Sequence, residues 1–420
     1  MKKAKIIVFL SLFQITLSAQ LTLDECHKKA RENYPVIRQF ELIEKAKNYD
    51  INSVNRGYLP QFSLSAKISY QSDVTQIPIT IPNIHIEGMS KDQYQAILEM
   101  NQIIWDGGNI RAQKNISKYS SEIEKQQTEI ELYTLKDRIN QLFFGILLLE
   151  EQLKLNQILT NEFQNSYNRI NELIKNGLAN QSDLDAIKVE QLKTTQRRIE
   201  LSSISKAYRE MLSLFLDENV NETVTLIKPE TDFWKTETFH NRRPELSLFE
   251  AQSNLFENNK KIISASTMPK IGLFAQAGYG KPGLNMLKNE FSPFFIGGIR
   301  LNWNFGSFYT KELGIKKLDL NIEKTELFKE VFIFNSDIKV THQTNEINKM
   351  KEILRLDDEI IELRKNIKSA AQIKVENGTL SVSDLIREIN AENLAIQEKV
   401  LHEIQLLINI ENLKNILNNE

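Results

Sequence analysis

Two prolines recur along this chain at one constant offset. Asn33-Tyr34-Pro35-Val36 returns as Arg242-Arg243-Pro244-Glu245, and Tyr58-Leu59-Pro60-Gln61-Phe62 returns as Thr267-Met268-Pro269-Lys270-Ile271, each proline displaced by 209 residues. Farther on, Asn176-Gly177-Leu178-Ala179-Asn180-Gln181-Ser182-Asp183-Leu184 returns after 201 residues as Asn377-Gly378-Thr379-Leu380-Ser381-Val382-Ser383-Asp384-Leu385. Three landmarks repeated in one order indicate a tandem duplication. They divide the chain into a leader over 1–19, a first structural repeat over 20–230 and a second over 231–420. Each repeat reads as helix, strand, loop, strand, very long helix, turn and shorter helix.

No Pro/Gly/Ser-rich linker separates the repeats, and 15 Gly with 9 Pro in 420 residues leave little room for flexible connectors. A formal net charge of −2 lacks the basic footprint of a nucleic-acid binder. Met1 to Gln20 has the layout of a secretory signal: Lys2, Lys3 and Lys5, an apolar stretch from Ile6 to Leu17, then Ser18-Ala19-Gln20, with cleavage expected near Ala19. The one cysteine, Cys26, has no partner for an intrachain disulfide and is not placed as the lipidated first residue of a lipoprotein. It reads as a small buried residue of the first helix. Beyond the leader there is no run of 18 apolar residues, so no transmembrane helix is expected. An exported chain can still enter a membrane as a β-barrel.

From Leu132 the apolar positions Leu135, Ile139, Leu142, Ile146, Leu149 and Leu153 alternate in steps of three and four, the seam of a coiled coil. Phe163, Tyr167, Ile170 and Ile174 resume the phase, while Asn156 and Thr160 interrupt it with polar groups. With no proline from Asn83 to Lys228, the pattern predicts one helix from about Asn109 to Lys175, roughly 100 Å long. A counterpart is expected from about Tyr309 to Glu376, with shorter partners over Leu184 to Phe215 and Leu385 to Leu417.

Between the proline landmarks and these helices the period falls to two. Strands are expected over 60–71, 93–105, 268–280 and 293–305. Ile271, Leu273, Ala275, Ala277 and Tyr279 share one face of the third; Phe295, Gly297, Ile299, Leu301, Trp303 and Phe305 share one face of the fourth. Phe62, Leu64, Ala66, Ile68 and Tyr70 do so in the first. Segments of about ten residues with one apolar face and aromatic ends suit a transmembrane barrel; on the strands alone, a soluble amphipathic hairpin over a core suits them equally. Four strands are too few to enclose a water-filled lumen. Three copies would supply about twelve, within the outer-membrane range.

Several segments together resemble the TolC-like outer membrane efflux proteins, or outer membrane factors, over essentially the whole mature chain. They are Leu21-Thr22-Leu23-Asp24-Glu25-Cys26, Asn241-Arg242-Arg243-Pro244-Glu245-Leu246, Ile104-Trp105-Asp106-Gly107-Gly108 and the two Asn-Gly…Ser-Asp-Leu turns. The resemblance implies a mixed α and β membrane protein. The implied assembly is a homotrimer whose twelve-stranded outer-membrane β-barrel continues as a long α-helical coiled-coil tunnel through the periplasm of a Gram-negative cell. The implied function is the passive exit duct of a tripartite efflux or type I secretion system. Such a duct would be opened by docking to a periplasmic adaptor (membrane fusion) protein and an inner-membrane pump, with outer-membrane lipid around the barrel.

The same resemblance makes the turns at Gly177 and Gly378 the periplasmic tip. Leu178, Ala179 and Thr379 would then flank the adaptor-docking turns, and Asp183 and Asp384 would lie at the gate. An acidic ring there would favour cations. Asn180 and Ser381 also read as helix N-caps with the aspartates at N3, and capping and gating can coexist. The chain departs from the charged-lock pattern of the family at Val375 and Leu380, and Arg387 stands where a second aspartate is expected. Arg387 can pair with Asp384 one helical turn away.

His27, His85, His240, His342 and His402 are scattered without metal-ligand spacing, so neither a metal site nor a cofactor is expected. Gly278-Tyr279-Gly280 sits in a strand and its loop, not at a phosphate-binding turn. No nucleophile and base are paired, which argues against an enzyme. A structural periplasmic coiled-coil or adaptor protein is the competing reading; it accounts for the heptads but not for strands with aromatic ends.

Overall fold

The computed structural model describes residues 20–75, 89–230 and 241–418. The leader over 1–19, His85 and His240 lie outside the described residues. The first half runs β1 (Gln20–Leu21), α1 (Leu23–Asn33), α2 (Gln39–Asn55), β2 (Gln61–Tyr70), β3 (Asp92–Trp105), α3 (Asn109–Lys175), α4 (Gln181–Leu216) and β4 (Thr225–Leu226). The second runs α5 (Pro244–Ser266), β5 (Lys270–Lys281), β6 (Ser292–Asn302), α6 (Ser307–Glu376) and α7 (Val382–Leu417). The order helix, two strands, long helix, shorter helix therefore occurs in both halves. The long helices have 67 and 70 residues.

Two compact units make up the chain. The first takes the start of the chain to Ile37, Ile130–Arg243 and the chain from Ile333 onward. Its core begins at the N-terminus, where Thr22 and Glu25 form a capping box with bonds of 2.9 and 3.3 Å. The cap starts α1 in the phase that buries Leu23, Cys26 and Ala30 against Ile139, Phe143 and Ile146 of α3 and Leu212 and Leu216 of α4. Cys26 is fully buried, and that burial pushes its thiol up to about 12, which leaves it unreactive. The heptad seam of α3 is buried at Leu135, Ile139, Leu142, Ile146 and Leu149, and again at Phe163 and Ile170. Asn156, on the same seam, is buried with its Oδ1 unpartnered. Arg209 of α4 is buried too. It pairs with Glu150 of α3 and donates to the carbonyls of Asn221 at 2.6 Å and Val224 at 3.2 Å, fastening the segment that leads into β4.

The second unit comprises Arg38–Glu129 and Pro244–Phe332. It holds one antiparallel sheet in the order β2-β3-β5-β6. The register lines up Leu64, Leu98, Ala277 and Phe295 in one row and Phe62, Met100, Ala275 and Gly297 in the next, all on one face. Ser63, Glu99 and Gln276 share the opposite, polar face. On that face the Phe294 ring covers Gly278, where a Cβ would lie 2.1 Å from it, and Phe274 lies over Gly298 at 3.1 Å.

The strand ends follow from local chemistry. The WDGG segment closes β3 because Asp106, which is buried, accepts the N–H groups of Gly108 at 2.9 Å and Ile110 at 2.6 Å and so caps α3. Gly107 has a φ of +72°, and a Cβ there would sit 2.6 Å from that of Met268, so no other residue fits. In the second half Asn304 accepts the N–H of Gly306 at 3.0 Å, and Trp303 Nε1 donates to the Thr267 carbonyl at 3.0 Å. These contacts turn the chain at Asn302, so β6 stops short of the Trp303 to Phe305 segment expected to extend it.

Candidate functional site

The candidate site is the pair of turns that end α3 and α6, both in the first unit. Gly177 has a φ of +73° and donates to the Ile174 carbonyl at 3.0 Å, while Leu178 donates to that of Leu173 at 2.9 Å. Gly378, with a φ of +68°, donates to Val375 at 3.0 Å, and Thr379 to Lys374 at 2.9 Å. These paired bonds satisfy the last carbonyls of each long helix and require a left-handed residue. A Cβ at either glycine would meet nothing within 4 Å, so backbone conformation, not space, selects glycine.

The return helices are capped at once. Asn180 Oδ1 accepts the Asp183 N–H at 3.2 Å while Asp183 Oδ2 accepts that of Asn180 at 3.1 Å. Ser381 Oγ accepts the Asp384 N–H at 3.1 Å and donates to Asp384 Oδ2 at 2.7 Å. Both aspartates thus sit in the first turn, where the helix dipole favours negative charge. Their surroundings differ. Arg387 Nη1 lies 3.1 Å from Asp384 Oδ1, whereas Asp183 has no ion-pair partner among the described residues. The Arg387 guanidinium also approaches Glu388, which reaches Arg364 of α6 at 3.6 Å.

Apolar packing joins the two turns. Val375, Leu184, Ile187, Val382 and Leu385 are buried in one cluster with Phe163 and Ile170, and Ala179 and Leu380 pack partly against it. Val375 and Leu380 therefore serve this apolar contact. Leu178, Thr379 and both glycines are exposed. Three ion pairs brace the cluster. Arg169 of α3 reaches Glu376 of α6 at 2.6 Å, and Lys368 of α6 bridges Glu162 of α3 at 2.8 Å and Glu392 of α7. Burial by itself lowers the Lys368 ammonium, but its hydrogen bonds to the two carboxylates outweigh this and raise it. Sequence reasoning missed these pairs, because no fixed spacing connects residues on separate helices.

The sheet supplies a second exposed surface. On its apolar face Phe62, Leu64 and Ile68 are 68%, 77% and 78% exposed, and Phe295, Ile299 and Leu301 are 69%, 73% and 64% exposed. No described helix is long and apolar enough to cross a membrane. Among the described residues no group of His, Cys, Asp and Glu could hold a metal ion.

Residues 27–207, which include β2, β3 and the Gly177 turn, match the family model described as outer membrane efflux protein. That segment of the chain is similar to the outer membrane efflux proteins. No curated protein matches its sequence. Among solved structures, the outer-membrane channel OprN is similar with a TM-score of 0.67 at 13% identity, over 95% of this chain and 90% of that one. CusC gives 0.68 at 13% identity, over 94% and 91%. VceC of Vibrio cholerae gives 0.66 at 10% identity, over 94% and 95%. At these identities the likeness is one of fold, and it extends through the second half of the chain.

Proposed function

We propose that three copies of this chain close their sheets into one twelve-stranded outer-membrane barrel. Their helices would continue it as a tunnel through the periplasm, and the assembly would act as the passive exit duct of a tripartite efflux or type I secretion system. One observation carries this reading: an amphipathic four-stranded sheet whose outer strands, β2 and β6, have no partner beyond them among the described residues. Open edges in lipid cost several kcal/mol per unpaired group. Pairing β6 of each copy with β2 of the next removes every edge and turns the apolar face to the bilayer. A coiled-coil adaptor has no use for such a sheet.

At the other end, the Gly177 and Gly378 turns would receive the periplasmic adaptor, with Leu178 and Thr379 as exposed contacts and Asp183 and Asp384 near the gate. The inner-membrane pump supplies the energy. Membrane fractionation combined with gel migration of unheated and heated samples tests the assignment. An outer-membrane protein whose migration changes on heating supports it; an unchanged, soluble periplasmic protein contradicts it.

A further inference from the structure

We propose that the polar face of the sheet makes the barrel interior a passage that favours small anionic solutes, in series with the cation-favouring aspartates of the gate. This rests on the trimeric barrel proposed above. The charged side chains of the four strands are Lys67, Asp92, Glu99, Lys270, Lys281 and Arg300. Asp92 opposite Tyr70 and Lys281 opposite Tyr94 belong to the apolar face at its loop end, where their charges offset each other. The other four project to the polar face: Lys67 opposite Gln95, Glu99 opposite Gln276, Gly272 opposite Arg300, and Lys270 opposite Asn302.

On that face the one acid is already engaged. Arg300 Nη2 lies 3.5 Å from Glu99 Oε1, Nη1 donates to Asn101 Oδ1 at 3.3 Å, and the guanidinium stands 4.6 Å above the Phe274 ring. This pair is neutral as a unit. Lys67 and Lys270 are exposed and have no carboxylate partner among the described residues. Lys270 sits at the helix end of the sheet and Lys67 toward the loop end, so three copies would place a ring of ammonium groups near each end of the passage. Rings of Lys or Arg select anions in pores. Composition does not account for this surplus, since the chain as a whole carries a formal charge of −2. The field of each ammonium extends about 10 Å at 0.1 M salt and about 3 Å at 1 M, so the preference weakens as salt rises.

The test is the reversal potential of the purified full-length protein in planar bilayers under a potassium chloride gradient. Lys67→Gln, Lys270→Gln and their combination are compared with Lys281→Gln, a change on the apolar face. The expected result is a stepwise shift toward potassium, largest in the double variant and larger at 0.1 M than at 1 M salt, with Lys281→Gln matching the wild type. An unshifted double variant, or an equal shift from Lys281→Gln, overturns the anion preference while the duct stands. A wild-type protein that stays non-conducting even when a periplasmic adaptor is added contradicts the duct itself and this inference with it.

Discussion

Leu301 stands directly opposite Ile271 in the β5–β6 ladder, and Trp105 joins their row because β3 takes an extra residue between Ile103 and Trp105. Without that bulge the tryptophan would fall on the polar face. With it, Trp105, Ile271 and Leu301 form the helix-side border of the apolar band, while Tyr279 stacks on Phe291 at 5.7 Å at the loop-side border. Aromatic borders around an apolar band are the signature of a sheet that meets two membrane interfaces.

Arginine in place of Phe295, in the middle of the apolar band, should therefore cost about 2–4 kcal/mol, while arginine in place of Ile296, opposite Gln276 on the polar face, should be tolerated. Urea unfolding of each variant in lipid vesicles reads the difference. Equal stability of the two would mean that the register assigned to β6 is wrong.

Leu178 and Thr379 are the exposed members of the tip turns and do not set the glycine conformations, so tryptophan at either should abolish export and leave assembly intact. Ala179 and Leu380 are poorer probes, because both pack on the apolar cluster. Export and assembled protein should be followed in the same membranes. Normal export would place adaptor docking elsewhere, and loss of assembly would make these side chains structural.

Replacing Arg209 with alanine strands Glu150 and two carbonyls that it now satisfies, at an expected cost of about 3 kcal/mol. Thermal unfolding monitored by circular dichroism measures it. A change within about 0.5 kcal/mol, typical of surface substitutions, would show that Asn221 and Val224 hold the segment without the arginine.

Because the Lys368 ammonium is raised in the folded protein, its stabilising contribution is present in full below the unfolded lysine value of about 10.4 and is lost as pH climbs through the folded value. The melting-temperature gap between wild type and Lys368→Gln should stay constant from about pH 8 to 10 and close above that. A gap that persists in strong alkali would assign the effect to packing of the lysine stem.

Much of this architecture was legible because its causes are local. Leu135 to Leu149 follow a heptad that one helix can bury, Asn180 and Asp183 are neighbours within a capping box, and Gly177 and Gly378 stop helices by their own backbone preference. Strand faces were readable from alternation, yet the end of β6 was not, because it depends on Trp303 reaching Thr267 across the chain. The bulge beside Trp105 and the Lys368 bridge were invisible for the same reason: each depends on residues on another strand or helix that no spacing rule connects.

The central claim is that three copies are required to close the barrel. Light scattering with detergent correction gives the protein mass of the purified particle directly. Three times the mass of one mature chain is the expected result. A stable particle of one chain's mass that still forms a closed barrel would contradict the account.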